Sequence, residues 1–176
     1  HHYGMLLDTD IPITTVCGDQ NAALFSQGLI PDKTAIVNIG TGAFILLPDK
    51  QTHNESQLLQ GIARSNSQVD YLLEGTVNGA GAALSWAEQQ WPVVNLYEQL
   101  PKWLNSIEYP PVFINTIGGL GSPWWISDIE PYFINDTAKT STEQHYVAII
   151  ESIIFLLQNN LEQMTKHAEI KTLRVS

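Results

Sequence analysis

The 176-residue chain is long enough for one domain of ordinary size, and its 44% apolar and 15% charged residues are typical of a globular protein. A formal net charge of −10, with only eight scattered lysines and arginines, argues against a nucleic-acid partner. Short apolar runs, no leader pattern and a single cysteine predict a cytoplasmic protein with no membrane partner and no internal disulfide.

A strand and a short helix are predicted at the start of the chain, over 12–17 and 20–27. Asp19 stands at their junction, inside "VCGDQNAALF". A carboxylate there is either the helix N-cap or a reactive group at the carboxyl end of a strand, and the two roles are compatible. Cys17 is interpreted as a small packed strand residue in preference to a reactive thiol.

The next elements in chain order are strands and helices separated by clear turn signals. The sequence predicts a hairpin over 34–50, strands over 61–65 and 69–74, a helix over 78–91, a helix in pieces over 96–107, a strand over 111–117 and a loop over 118–133. Pro101 is expected to interrupt the second helix.

Three glycine-rich segments are candidates for contact with a ligand. Gly40-Thr41-Gly42 is adequate for an ordinary hairpin turn, but its backbone N–H groups and the Thr41 hydroxyl also suit an anion. Gly79 and Gly81, at a helix start, permit close approach of a nucleotide or of another backbone; tight helix packing is the favoured interpretation. For "GGLGSPWW" an ordered loop with buried tryptophans is favoured over a binding lip.

The strongest helix signal lies over 142–167. Ser141 and Gln144 form a capping box, and one apolar stripe follows at three- and four-residue spacing. The stripe comprises Val147, Ile150, Ile154, Leu157, Leu161 and Met164, widened by Ile149, Ile153 and Leu156. We expect this helix to be buried against a sheet. A strand signal then ends with the sequence at Ser176, which suggests a truncated chain.

The order of these segments resembles the FGGY carbohydrate kinases, and within them the glycerol kinase branch. The resemblance runs from Pro12 to Ser176 and is most specific in "GDQNAALFSQG" and "GTGAF". It implies an α/β, actin-like (ribonuclease H-like) fold with a mixed sheet and flanking helices. It also implies that 1–30 end the N-terminal kinase domain and that 31–176 form a C-terminal domain lacking its last part.

The resemblance also assigns roles to single residues. Asp19 matches the general base and a substrate contact, Gln20 matches a residue that holds a substrate hydroxyl, and Phe44 an aromatic that packs on a small polyol. The turn Gly40, Thr41 and Gly42 matches the cradle for the β- and γ-phosphates. Gly81 and Ser85 match the nucleotide side of the site, although glycerol kinases carry Gln where Ser85 stands.

The expected function is therefore ATP-dependent phosphorylation of a sugar or polyol. The resemblance implies ATP and Mg²⁺ as cofactors, with the metal held mainly by the N-terminal domain, and allows a homo-oligomer. This chain shows no metal-ligand spacing of its own. The departures at Ser85 and in "SPWWISD" leave an alternative, a non-catalytic actin-fold module with a binding or regulatory role.

Overall fold

The computed structural model describes residues 4–14, 16, 18, 22, 24, 25, 32–54, 56–65 and 68–176. The chain divides into two compact units, His1–Asp32 and Lys33–Ser176. The elements in chain order are β1 (Gly4–Met5), β2 (Pro12–Ile13), β3 (Thr34–Ile39), β4 (Ala43–Asp49), β5 (Leu59–Ser65), β6 (Val69–Val77), α1 (Gly81–Gln90), α2 (Leu96–Ser106), β7 (Val112–Ile114), β8 (Tyr132–Ile134), α3 (Thr142–Thr165) and β9 (Thr172–Val175).

In the first unit, β1 and β2 are each two residues long and pair as an antiparallel ribbon. The prediction of a buried strand over 12–17 is wrong, because strand pairing ends at Ile13 and the Val16 side chain is 70% exposed. Among the described residues of this unit the ribbon has no further strand beside it, and a two-stranded ribbon buries little apolar surface. Most of the helix predicted over 20–27 lies outside the described residues.

The second unit is built on a five-stranded sheet in the order β5-β6-β4-β3-β9. Strands β5, β6, β4 and β3 are antiparallel to their neighbours, whereas β9 runs parallel to β3. This arrangement confirms the predicted mixed sheet. Alternation along β4 sends Ala43, Ile45 and Leu47 into the core on the face that α3 covers.

The helix α3 is the main cover of the sheet. Its capping box is formed as predicted, with the Ser141 hydroxyl accepting from the Gln144 N–H and the Gln144 side chain accepting from the Ser141 N–H. Most of the predicted stripe is buried, but Ile154 is 53% exposed and that part of the prediction is wrong. Its spacing from Ile150 and Leu157 places Ile154 beside the stripe, but the spacing does not show which part of a helix face other elements cover, and there more than half of the side chain is exposed.

Two further predictions are corrected by the structure. The helix α2 is continuous through Pro101, because Pro101 and Tyr97 both lie on its exposed side, where water can bond the carbonyl that the proline leaves free. The segment 118–133 is not all loop, since Tyr132–Ile134 pairs with β7 as strand β8. Its three apolar residues carry no alternation, which left the strand without a sequence signal. None of the helices in the part of the chain that the structure describes is long and apolar enough to cross a membrane.

Candidate functional site

The Gly40-Thr41-Gly42 segment is the turn between β3 and β4, at the carboxyl end of β3. The parallel strand β9 ends at the same edge, where the Ile39 N–H donates to the Ser176 carbonyl at 3.0 Å. Ligands of open α/β sheets bind at the carboxyl ends of parallel strands. The turn therefore lies at the edge of the sheet where a ligand is expected.

The turn also serves as the cap of α1. That helix begins after Ala80, which has no side-chain cap. The Gly81 N–H donates to the Gly40 carbonyl at 2.9 Å, and the Ala80 and Ala82 N–H groups donate to the Thr41 carbonyl at 3.2 and 2.9 Å. The N–H groups that a helix start leaves unpaired are thus satisfied by the two carbonyls of the turn.

This capping fixes the orientation of the turn's own N–H groups. In a trans peptide the carbonyl and the N–H point in opposite directions, and the only cis peptide among the described residues joins Ser122 and Pro123. Because the Gly40 and Thr41 carbonyls point at α1, the Thr41 and Gly42 N–H groups point away from it. Neither N–H donates a backbone hydrogen bond within the described part of the chain. Two adjacent free N–H groups form an anion-binding concavity.

The glycines of this contact are required by close backbone approach. A Cβ on Gly42 would lie 2.9 Å from the Val77 carbonyl oxygen, and a Cβ on Gly81 would lie 2.7 Å from the Gly40 carbonyl oxygen. Both distances are shorter than ordinary contacts of a Cβ atom. At Gly81 the group that approaches closely is therefore another backbone, one of the two possibilities that the sequence left open.

The other predicted site residues of the second unit lie on β4, which follows the turn, and on α1, which the turn caps. Ser85 is exposed and stands four residues after Gly81, on the same face of α1. Phe44 is half-buried in β4 and pairs with Asn38 across the hairpin. It projects from the face opposite Ala43 and Ile45, away from α3. Asp19, Gln20 and Cys17 lie outside the described residues.

The loop "GGLGSPWW" is held at each of its ends and in its middle. The Asn78 side chain donates to the Gly118 and Gly119 carbonyls at 2.9 and 3.1 Å, and Leu120 and Ile126 exchange backbone hydrogen bonds. A Cβ on Gly121 would lie 2.2 Å from the Thr76 carbonyl oxygen. The loop therefore packs directly against the end of β6.

The two tryptophans of this loop are not buried. Trp124 and Trp125 are 43% and 47% exposed, so the prediction of buried rings is wrong. The indole N–H of Trp125 donates to the Gln57 carbonyl at 2.8 Å, which ties the loop to the β4–β5 connection. The order of the loop comes from backbone packing and hydrogen bonds, which a sequence pattern does not reveal.

A buried polar chain joins this loop to α3. The Thr76 N–H donates to Ser122 Oγ at 2.6 Å, and Ser122 Oγ donates to Asn160 Oδ1 at 2.6 Å. Asn160 Nδ2 then donates to the Leu156 carbonyl at 3.0 Å. Both Ser122 and Asn160 are almost fully buried. Asn160 occupies an inward position of an otherwise apolar stripe. A polar residue at such a position was the sequence signal that could have indicated a buried hydrogen bond.

Two perturbed ionisable groups lie near these elements. Burial raises the pKa of the Glu74 carboxyl, against the opposing effect of a hydrogen bond from Thr76. Burial, the neighbouring His53 and Lys166 together lower the pKa of His167, while Asp49 acts in the opposite direction. The rings of His53 and His167 lie 4.7 Å apart, although 113 residues separate them in the chain. Among the described residues no three His, Cys, Asp or Glu side chains cluster as metal ligands.

Comparison with known proteins identifies the family of this chain. Residues 35–176 match the C-terminal domain of the FGGY family of carbohydrate kinases. The chain therefore belongs to the FGGY family of carbohydrate kinases.

Individual relatives agree with this assignment. The chain is 34% identical to a glycerol kinase of Thermococcus kodakarensis, over 97% of this chain and 35% of that protein. It is 32% identical to a glycerol kinase of Listeria welshimeri, over 94% of this chain and 35% of that protein. The chain thus spans about a third of the length of the relatives that it matches.

Solved structures show the same fold. Plasmodium falciparum glycerol kinase with ADP superposes with a TM-score of 0.83 at 24% identity, over 99% of this chain and 38% of that one. A ligand-bound xylulose kinase from Lactobacillus acidophilus superposes with a TM-score of 0.79 at 21% identity, over 96% and 35% of the respective chains. These structures confirm the actin-like fold expected from the sequence.

Proposed function

We propose that the protein transfers the γ-phosphoryl group of ATP to a hydroxyl of a sugar or polyol. The observation that carries the proposal is the turn at 40–42, whose free N–H groups point away from α1 in a chain of the FGGY family. The glycerol kinase relatives and the glycerol kinase with ADP support ATP as the donor. Positioning and charge stabilisation by such donors is what phosphoryl transfer requires.

On the nucleotide side, the Thr41 and Gly42 N–H groups and the Thr41 hydroxyl bind the β- and γ-phosphates. Gly81 and Ser85 lie on one face of α1, the helix that the turn caps, and border the nucleotide. When bound with ATP, Mg²⁺ neutralises phosphate charge. Following the family resemblance, we assign its protein ligands mainly to the N-terminal domain.

On the acceptor side, Asp19 is the general base and Gln20 holds a substrate hydroxyl. Asp19 takes the proton of the attacking hydroxyl as its oxygen bonds to the γ-phosphorus, while the bond from that phosphorus to the β–γ bridging oxygen breaks and ADP leaves. Phe44 packs against the carbon chain of the substrate. A carboxylate at a helix N-terminus stays ionised, which a base requires.

The same proposal sets the domain organisation. Residues 1–30 end the N-terminal kinase domain, and residues 31–176 belong to the C-terminal domain. The boundary of the compact units between Asp32 and Lys33, and the family match from residue 35, support this division. We place the enzyme in the cytoplasm, with a sugar or polyol as its partner.

The proposal is tested with the full-length protein and a panel of glycerol, pentuloses and polyols. ATP-dependent formation of ADP with at least one of them is expected, measured by a coupled assay. Magnesium is supplied with the ATP, and omission of the acceptor gives the background. A folded full-length protein that phosphorylates no member of the panel would contradict the proposal.

Asp19→Asn tests the role of the base directly. An amide cannot accept the hydroxyl proton, so turnover should fall by about 10²–10⁴-fold while nucleotide affinity changes little. Asn caps a helix about as well as Asp, so the variant keeps the cap and removes the base. The matched control is Asp10→Asn, an exposed carboxylate of the β1–β2 connection, whose turnover should equal that of the wild type. Near-normal turnover in folded Asp19→Asn protein would leave Asp19 only the role of a cap.

A further inference from the structure

Three glycines surround the contact between the turn and α1, and a side chain on each would meet a different group. A side chain on Gly42 would clash with the Val77 carbonyl of β6, and a side chain on Gly81 would clash with the Gly40 carbonyl of the turn. On Gly40 it would meet only the Gly42 carbonyl oxygen, at an ordinary 3.9 Å. Gly40 also does not have a positive φ, so its backbone conformation does not require glycine.

The Gly81 contact controls the direction of the turn's peptides. Its N–H bonds the Gly40 carbonyl at 2.9 Å, and this bond holds the Gly40–Thr41 peptide with its carbonyl towards α1. The Thr41 N–H consequently points away from the helix. A methyl group at 2.7 Å from the Gly40 oxygen would push the turn off the helix and rotate this peptide.

We propose that Gly81 is a positioning residue for the turn: besides bordering the nucleotide, it acts on the phosphates through its bond to the Gly40 carbonyl, which sets the direction of the Thr41 N–H. The inference rests on the proposed function, because it assumes that the turn binds phosphates. It refines the role that the family resemblance implies for Gly81. Gly40 is then the glycine whose missing side chain leaves room for the ligand.

The variant Gly81→Ala is compared with Gly79→Ala in the full-length protein. Gly79 stands two residues earlier, and a Cβ there would lie 2.5 Å from Asn115 Oδ1 and 2.9 Å from Ile117. Both variants therefore place a methyl group less than 3 Å from a neighbouring atom, at the first residue of α1 or two residues before it. Only Gly81→Ala directs it at the turn.

The first measurement is amide hydrogen exchange without any nucleotide. In Gly81→Ala the Ala80 and Ala82 amides, which bond the Thr41 carbonyl, should exchange about tenfold faster than in the wild type. In Gly79→Ala the Ala82 amide, which is not part of the Gly79–Ala80 peptide that Asn115 holds, should exchange at the wild-type rate. Equal acceleration in both variants, or none in Gly81→Ala, would overturn the positioning role.

The second measurement uses magnesium tripolyphosphate, which carries the phosphates of ATP without a nucleoside. Its affinity should fall about tenfold in Gly81→Ala relative to Gly79→Ala, as expected for loss of one hydrogen bond to a charged group. A residue that touched only the nucleoside would leave this affinity unchanged, and that result would overturn the inference.

A third measurement needs only the wild type, in case Gly81→Ala does not fold. Tripolyphosphate should slow amide exchange at residues 80–82 but not at residues 142–144 of α3, whose cap is formed by Ser141. Unchanged exchange at 80–82 with the ligand bound would overturn the inference. Failure of the wild type to bind either tripolyphosphate or ATP would instead contradict the proposed function, and the nucleotide-free exchange experiment would still decide the positioning role.

Discussion

The turn at 40–42 and the loop at 118–125 are both rich in glycine, yet the structure uses their glycines differently. In the loop, Gly118 and Gly119 have positive φ values of 74° and 84°, and Gly121 lies against β6. The Gly118 and Gly119 carbonyls accept from the Asn78 side chain, and Leu120 and Ile126 exchange backbone hydrogen bonds. In the turn, the carbonyls are bonded, and the Thr41 and Gly42 N–H groups donate no backbone hydrogen bond within the described residues. The turn is set apart by its position, because it lies at the carboxyl ends of β3 and β9, where ligands of open α/β sheets bind.

The largest effect on stability is expected from Gly121→Ala. A Cβ would lie 2.2 Å from the Thr76 carbonyl oxygen, so either β6 or the loop must move. We expect the free energy of unfolding to fall by about 3 kcal/mol, the upper end for overpacking. Chemical denaturation measures it.

Gly40→Ala is the matched control for that variant. Its methyl group has open space within the chain, so the free energy of unfolding should change by less than about 1 kcal/mol. ATP affinity should nevertheless fall, because the methyl group occupies the ligand side of the turn. Equal destabilisation by the two variants would remove the distinction between the two segments.

Ser122→Ala tests the polar chain that holds the loop. It leaves the Thr76 N–H and Asn160 Oδ1 without their buried partner, at a cost of about 1–3 kcal/mol. Ser127→Ala is the control, since the Ser127 hydroxyl is exposed and bonds only the Asp128 carboxylate within the described residues. If both variants unfold at the wild-type denaturant midpoint, the Ser122 chain does not stabilise the loop.

The smallest effect concerns pH and the anchor of the loop on the β4–β5 connection. The folded-state pKa of His167 lies below its ordinary value of 6.5, because of burial and the adjacent His53 and Lys166. The unfolded chain therefore binds the proton more readily, and stability should be lost as the pH falls from about 6.5 through the lowered pKa of His167. Protonated His167 would repel the adjacent His53. His53 lies on the β4–β5 connection, as does Gln57, whose carbonyl accepts from Trp125 of the loop.

Thermal unfolding of the wild type and of His167→Gln across this pH range measures the effect. The glutamine cannot take up a proton, so the variant should lose less stability on acidification. His53→Gln, which removes the neighbouring ring, should raise the pKa of His167 in an NMR titration. Identical pH dependence of wild type and His167→Gln would show that His167 does not contribute.

Several parts of the fold followed from local sequence signals. The hairpin around Gly40-Thr41-Gly42, the capping box at Ser141 and most of the α3 stripe depend on neighbouring residues, and the structure confirms them. Strand β8 and the continuity of α2 did not follow, because pairing with β7 and the solvent-facing side of Pro101 are set by tertiary packing.

The sequence pointed to the residues of the candidate site but not to their hydrogen bonding. The sequence pointed to the turn and to Gly81, and the resemblance gave each a role. That the turn caps α1 depends on contacts across about 40 residues, and the one local sign was the lack of a capping side chain at Ala80. The Ser122–Asn160 bond spans a similar distance along the chain, and the pair His53–His167 joins still more distant segments. The roles of Asp19 and Gln20 stay predictions.

NMR shows whether the Thr41 and Gly42 N–H groups, which donate no backbone hydrogen bond within the described residues, bind the phosphates of ATP. Full-length protein with ¹⁵N-labelled threonine and glycine is titrated with magnesium ATP. The Thr41 and Gly42 amide signals should shift downfield as these groups acquire a charged acceptor, while the Gly118, Gly119 and Gly121 signals stay in place. Saturating ATP that moves the 118–121 signals and leaves those of Thr41 and Gly42 unchanged would contradict the account.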